Sequence, residues 1–185
     1  WVWYYTNPYF TAGPPFSSMR CAIDDLRTMH EIGVRGVTFQ WTTGTTDKQR
    51  GLNLADLQAW LLMKLSYDPQ LDADALIDEF MEHYYGEAAP WMEEYLAELE
   101  SHREAMKIRL PWLPSSHMLG YLTPEMLARW QETFDEMEDL TADSPDALRH
   151  VRTARITLDN ATLQKWHLLG EPRAGLGVTP RKLAD

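Results

Sequence analysis

Three consecutive helix patterns between residues 51 and 106 constrain the fold of this chain more than any other feature. The first repeats leucine at the spacing of one helix face, at Leu54, Leu57, Leu61 and Leu65. Trp60 and Met63 widen this stripe, so we expect the helix to be buried on more than one side. Asp68 and Pro69 end it, because proline disfavours the helical conformation in the residue before it.

Two further helices follow, and short-range signals mark their ends. Asp72 is a typical N-cap for the second helix, and Gly86 is a typical stop. Pro90 suits the first turn of the third helix, where a backbone N–H has no partner within the helix. The residues predicted to face inward are Leu76, Ile77, Phe80, Met81 and Tyr84 in the second helix, and Trp91, Tyr95, Leu99 and Met106 in the third.

The first fifty residues have a different pattern. Residues 1–5 (WVWYY) and 34–41 (VRGVTFQW) are rich in aromatic and β-branched side chains, which favours strands. Residues 17–32 between them have helical periodicity, and Gly33 ends that helix. Strand, helix and strand in this order are typical of a βαβ unit, in which the two strands run parallel.

Two more helices are predicted after residue 106. Thr123-Pro124 and Ser144-Pro145 are start signals, and the last helix is expected to reach about residue 169. The chain is thus predicted to contain two strands and six helices. We divide it into a βαβ unit (1–50), a helical region (51–170) and a flexible tail (171–185).

Two parallel strands do not form a stable sheet alone, because parallel sheets are covered on both faces and need neighbouring strands. Either a partner completes them, or they are the last two strands of a (β/α)8 barrel whose other strands lie upstream. The barrel is the simpler of these two explanations. The predicted fold class is therefore mainly α with a residual βαβ unit: the C-terminal end of a barrel plus a packed helical region. Because the chain opens with a strand pattern rather than Met, we expect a longer protein.

Composition excludes several classes of partner. A formal net charge of −11 argues against nucleic acid, and no apolar run is long enough to span a membrane. The single cysteine, Cys21, excludes an internal disulfide and is expected to be a buried thiol. The six histidines lack metal-ligand spacing, although His117 lies in a proline-rich connection. The chain also has no glycine-rich nucleotide-binding loop. From the histidine spacing we expect no metal site, and from the missing loop we expect no nucleotide cofactor.

The candidate binding residues lie where the two strands end, since barrel enzymes build their sites there. Indole and phenol rings stack on the apolar side of a sugar, and amides bind its hydroxyl groups. The alternative is that strand aromatics only fill the barrel or pack under helices. The predicted substrate-binding residues are Trp3, Tyr5, Asn7, Gln40 and Trp41.

Glycoside hydrolysis usually needs two carboxylates, and neither strand end supplies one. Asp24 and Asp25 lie within a predicted helix, and Asp47 lies in the middle of a loop. The glutamate-rich helix faces are expected to be solvated surfaces; they comprise Glu93, Glu94, Glu98 and Glu100, and Glu132, Glu136 and Glu138. A catalytic pair is therefore expected outside this chain.

Several ordered motifs resemble the C-terminal signature of a bacterial domain-of-unknown-function family. They are KLSYDP at residues 64–69, LIDEF at 76–80 and YYGEAA at 84–89, preceded by WYYTN at 3–7 and GVRGV at 33–37. Members occur in secreted proteins interpreted as glycoside hydrolases, related to the α-glucuronidase and β-hexosaminidase barrels. The resemblance covers about residues 1–105.

This resemblance implies that the chain supplies the last two strands of a barrel and the helices packed behind them. Trp3, Tyr5, Asn7 and Gln40 would border a sugar site, and the location would be secreted or periplasmic. The chain has Tyr4 where such proteins are expected to carry an acidic residue, so the first strand receives no catalytic role. The leading hypothesis is the C-terminal portion of a glycoside hydrolase acting on carbohydrate. The alternative is a non-catalytic helical module that binds protein or glycan.

Overall fold

The computed structural model describes residues 1–5, 14–40, 54–107 and 116–169, which are mostly helical with a small parallel sheet. Within these ranges the prediction of two strands and six α-helices is confirmed. The last helix is followed by a 3-10 turn at Trp166–Leu168, so it ends before the predicted residue 169. The elements are β1 (Val2–Tyr5), α1 (Met19–Glu31), β2 (Val37–Gln40), α2 (Ala55–Tyr67), α3 (Ala73–Tyr85), α4 (Ala89–Met106), α5 (Pro124–Leu140) and α6 (Pro145–Gln164).

The strands β1 and β2 pair in parallel, with α1 between them in the chain, so the predicted βαβ order is confirmed. Tyr4 and Phe39 pack edge to face against each other and against the hydrophobic core. The Tyr4 hydroxyl donates a hydrogen bond to Asp25 of α1 at 2.7 Å. This side of the sheet therefore faces the helices. The opposite side, which we call the open face, carries Trp1, Trp3, Tyr5, Thr38 and Gln40.

Local capping bonds explain where α3 and α5 begin. The Asp72 carboxylate accepts hydrogen bonds from the backbone N–H groups of residues 74 and 75, as the sequence predicted for α3. Thr123 caps α5 in the same way, whereas Ser144 precedes α6 without a side-chain cap bond. Gly86 ends α3 with φ of +56°, a left-handed conformation that L side chains rarely adopt.

The helical core confirms the predicted leucine stripe but corrects two other assignments. Leu57, Leu61 and Leu65 are fully or almost fully buried. Met63 on the same helix is 60% exposed, so α2 is not covered on more than one side within the described residues. In α4 the sequence predicted Trp91 to face inward, but Met92 is the buried residue. The inner face of α4 consists of residues 92, 95, 96 and 99.

Glu100 corrects the expectation that the glutamates of α4 are solvated. Its carboxylate is buried and accepts hydrogen bonds from the Ser17 hydroxyl and the backbone N–H groups of Met19 and Arg20. It therefore caps α1, which lies about 80 residues earlier in the chain. Its second oxygen accepts a bond from Arg103 at 3.0 Å. The helical region is thereby fixed to the βαβ unit.

A second buried polar cluster joins α5 and α6. The Arg155 guanidinium is buried and contacts Asp135 at 2.6 Å and Glu138 at 2.8 Å. It also donates to the Gln131 side-chain oxygen and lies 3.3 Å from Asp159. Glu138 thus belongs to this cluster and is not a solvated residue, which is a second correction to the predicted acidic faces.

Two carboxylates make stability depend on pH. Burial acts to raise the pKa of Glu98, but hydrogen bonds from Arg129 and Trp130 outweigh it, and the pKa lies below its ordinary value. The pKa of Glu138 is lowered in the same way: burial opposes the shift, and bonds from Arg152 and Arg155 dominate. A carboxylate whose pKa is lower in the folded state stabilises the fold at pH values above its unfolded-state pKa. This stabilisation is lost as the pH falls through the folded-state pKa.

We therefore expect Glu98 and Glu138 to lower the urea midpoint as the pH decreases from about 6 to about 3, with the loss at and below the ordinary glutamate value of ~4.3. The variant Glu138→Gln should start from a lower midpoint at pH 6 and lose less of it on acidification, since it has no charge to neutralise. Equal slopes for the wild-type protein and Glu138→Gln would contradict this assignment.

Candidate functional site

The open face brings together three of the predicted binding residues, Trp3, Tyr5 and Gln40. Tyr5 pairs with Gln40 in the strand register, so both residues lie at the carboxyl ends of their strands. The Trp3 indole Nε1 donates a hydrogen bond to the Gln40 side-chain oxygen at 2.7 Å. Trp3 is 62% exposed and Tyr5 is 48% exposed. The described residues thus present two accessible aromatic rings beside an amide.

Asn7 and Trp41, the other two predicted binding residues, lie outside the described residues, as does Asp47. They remain predictions. In the sequence, Asn7 comes two residues after the end of β1, and Trp41 comes one residue after the end of β2.

Trp1 was not among the predicted binding residues, although it lies on the same face. Its ring lies against the backbone of Gly36, and a Cβ at position 36 would be only 2.7 Å from the indole. A residue without a side chain is therefore required for this approach. The sequence signal was present, since Trp1, Trp3 and Tyr5 alternate with the period of two residues that defines one face of a strand.

No carboxylate side chain is part of the open face of the described strands. The nearest acidic partner of the sheet, Asp25, is bonded to Tyr4 on the helix-facing side. Burial, and then the bond to Asp25, raise the pKa of Tyr4 well above its ordinary value. Tyr4 therefore stays protonated at neutral pH and serves as a hydrogen-bond donor between sheet and helix. The described open face offers aromatic rings, a hydroxyl and an amide, and none of its described side chains is a carboxylate or an imidazole.

A second accessible surface lies on the outer side of α2, and the sequence did not predict it. It is a shallow, open depression of about 480 Å³ with an almost entirely apolar lining. The Lys64 ammonium lies 5.0 Å from the centre of the Trp60 ring, a cation–π contact. We call this surface the α2 groove, and its lining residues are Ala59, Trp60, Met63, Lys64, Tyr67 and Leu71.

The remaining candidates give no site in the described part of the chain. Cys21 is exposed, contrary to expectation, and Arg103 donates to its sulfur at 3.0 Å. His117 is exposed and lies in a 3-10 turn at Ser116–Met118. Across the four described ranges no three His, Cys, Asp or Glu side chains are grouped to hold a metal ion. No helix within those ranges has the length and apolarity needed to cross a membrane.

Comparison with known proteins assigns the N-terminal half of the chain to a family. Residues 1–97 match the model of a family described as a domain of unknown function (DUF4838). Searches of the curated proteins and of the solved structures gave no match. The matched segment contains β1, α1, β2, α2 and α3, and therefore the open face. Because the match covers just over half of the 185 residues, the chain belongs to the DUF4838 family of domains of unknown function.

Proposed function

We propose that this chain is the C-terminal portion of a glycoside hydrolase and that its open face forms part of a sugar-binding wall. The observation that carries this proposal is the pairing of Tyr5 and Gln40 at the carboxyl ends of two parallel strands, with the Trp3 indole bonded to Gln40. Exposed aromatic rings supply apolar stacking surfaces for sugar rings. The neighbouring amide supplies hydrogen-bonding groups of both kinds, as sugar hydroxyls require.

The barrel part of this proposal explains why two apolar surfaces are uncovered. A two-stranded parallel sheet is marginal alone, and large apolar side chains rarely lie in exposed patches without a partner. Large side chains are exposed on both surfaces: Trp1, Trp3 and Tyr5 on the open face, and Met63 and Tyr67 in the α2 groove. Further βα units of a (β/α)8 barrel would add strands to the sheet and helices beside α2. The acid and the nucleophile or base would then come from those other strands.

A specific observation also favours the second candidate, a non-catalytic binding module. The helices from α2 to α6 share one hydrophobic core, and the buried Glu100 carboxylate fixes α1 to it. Such a body resembles a folded unit in its own right. Hydrolysis of oligosaccharides by the full-length protein would support the enzyme, whereas binding without hydrolysis would support the module.

The binding wall is tested by Trp3→Ala and Tyr5→Ala in the full-length protein. Each variant is expected to weaken oligosaccharide affinity about tenfold, since one stacked ring buries apolar area worth about 1.5 kcal/mol. Isothermal titration calorimetry against a set of oligosaccharides gives the dissociation constants. The same measurement on Trp41→Ala tests the residue that lies outside the described ranges.

The matched control is Tyr67→Ala, which removes an aromatic ring that is almost completely exposed on α2. Its affinity for the same sugars should equal that of the wild-type protein, because Tyr67 belongs to the α2 groove and not to the open face. Unchanged affinity in both Trp3→Ala and Tyr5→Ala would refute the sugar-binding wall.

A further inference from the structure

The hydrogen bond between Trp3 and Gln40 crosses the sheet diagonally. Trp3 is registered with Thr38, and Gln40 is registered with Tyr5, so the bond runs from the middle of β1 to the last residue of β2. Both side chains lie on the open face, where water could otherwise bond to the indole N–H. Burial therefore does not require this contact. Its consequence is that one directed bond holds a largely exposed indole.

An exposed tryptophan without such a bond would be free to change its side-chain rotamer. Indole has a single N–H donor, so its hydrogen bond defines where one edge of the ring lies. A ligand that stacks on a ring already held in place loses less side-chain entropy on binding.

Building on the function proposed above, we infer that Gln40 is a positioning residue: its side-chain oxygen holds the Trp3 indole in the orientation that stacks on a sugar. The role differs from the direct sugar contact that the sequence predicted for Gln40. In the positioning role the oxygen acts through Trp3, whereas in direct contact the amide N–H groups would bond to a sugar hydroxyl.

Two substitutions at position 40 distinguish these roles. Gln40→Glu keeps an oxygen acceptor for the indole but loses the amide donors, whereas Gln40→Leu loses both. Positioning predicts that Gln40→Glu binds the oligosaccharide as tightly as the wild type. Gln40→Leu is expected to bind about 2- to 12-fold more weakly, the effect of releasing one immobilised side chain. Equally weak binding by the two variants would overturn the positioning role.

A double-mutant cycle with Trp3→Phe gives the second readout. Phenylalanine keeps an aromatic face but has no N–H, so it cannot use the Gln40 oxygen. In the Trp3→Phe background, Gln40→Leu should therefore cause no further loss of affinity. The same loss in both backgrounds would show that Gln40 acts independently of Trp3 and would overturn the inference.

The hydrogen bond itself is measured without any sugar. The chain has eight tryptophans, and the indole N–H resonance of Trp3 in a ¹⁵N spectrum is identified by its absence in Trp3→Phe. We expect slow exchange of this proton with solvent in the wild type and in Gln40→Glu, and fast exchange in Gln40→Leu. Fast exchange in the wild type, with sugar binding intact, would overturn the positioning role alone. A protected N–H without sugar binding by any variant would overturn the proposed function and, with it, the role of Gln40 toward sugar.

Discussion

Replacing Arg155 with alanine is expected to lower the free energy of unfolding by about 3–5 kcal/mol, the largest effect we predict for a single residue. The guanidinium bonds to Asp135, Glu138 and the Gln131 oxygen at the α5–α6 junction, with Asp159 close by. Without it, Asp135 and Asp159 lose the cation that they contact, and Glu138 keeps only the exposed Arg152, inside a partly buried cluster. Urea denaturation at neutral pH, followed by circular dichroism, measures the change.

Arg152→Ala is the matched control because Arg152 lies one turn earlier on α6 and also bonds to Glu138, at 2.8 Å. Its side chain is 63% exposed, compared with 8% for Arg155. We expect a loss of less than about 1 kcal/mol, as for other exposed ion pairs. Arg155→Lys keeps the charge but cannot form the guanidinium fork, so it should lie between the two. Equal losses in Arg152→Ala and Arg155→Ala would contradict the central role of Arg155.

Replacing Glu100 with alanine should lower the free energy of unfolding by about 2–4 kcal/mol. The change leaves the first N–H groups of α1 at Met19 and Arg20 without their carboxylate, and it leaves Arg103 without its closest anion. It also removes the partner of the Ser17 hydroxyl, which is buried. The same urea titration, followed by circular dichroism, measures the change.

The control for this prediction is Glu104→Ala, one helical turn further along α4. Glu104 also pairs with Arg103, at 3.5 Å, but its side chain is largely exposed. A loss below about 0.5 kcal/mol is expected there. Glu100→Gln keeps oxygen acceptance without charge and should be less damaging than Glu100→Ala. If Glu104→Ala were as destabilising as Glu100→Ala, the cap on α1 would not be the cause.

The helix boundaries were predictable because the signals that set them are local. Asp72 and Thr123 each bond to backbone N–H groups two or three residues away, and Gly86 ends α3 through its own positive φ angle. The inner faces followed from helical periodicity in the same way, as the burial of Leu57 and Leu61 shows.

The acidic faces were predicted incorrectly because their partners are distant in sequence. Glu100 and Glu138 lie in glutamate-rich stretches whose helical spacing is typical of a solvated helix face. Glu100 bonds to residues about 80 positions earlier, and Glu138 bonds to Arg155, 17 positions later. Only the packing of helices brings these charges together. Periodicity along one helix carries no information about the charges on the next helix.

One part of the open face could also be predicted from the sequence, whereas another part depends on the tertiary structure. Alternation along residues 1–5 by itself places Trp1, Trp3 and Tyr5 on one side of a strand, and the flanking helix pattern makes that strand one of a parallel pair. The parallel register then decides which residue of β2 lies beside each aromatic ring, and it brings the Gln40 amide within 2.7 Å of the Trp3 indole. The sequence by itself determined the helices, the buried leucine stripe of α2 and the aromatic character of the first strand, because each depends on neighbours within a few residues. Only the tertiary structure decided the cap on α1, the Arg155 cluster and the Trp3–Gln40 pair, because their partners are brought together by folding across 17 to 83 residues.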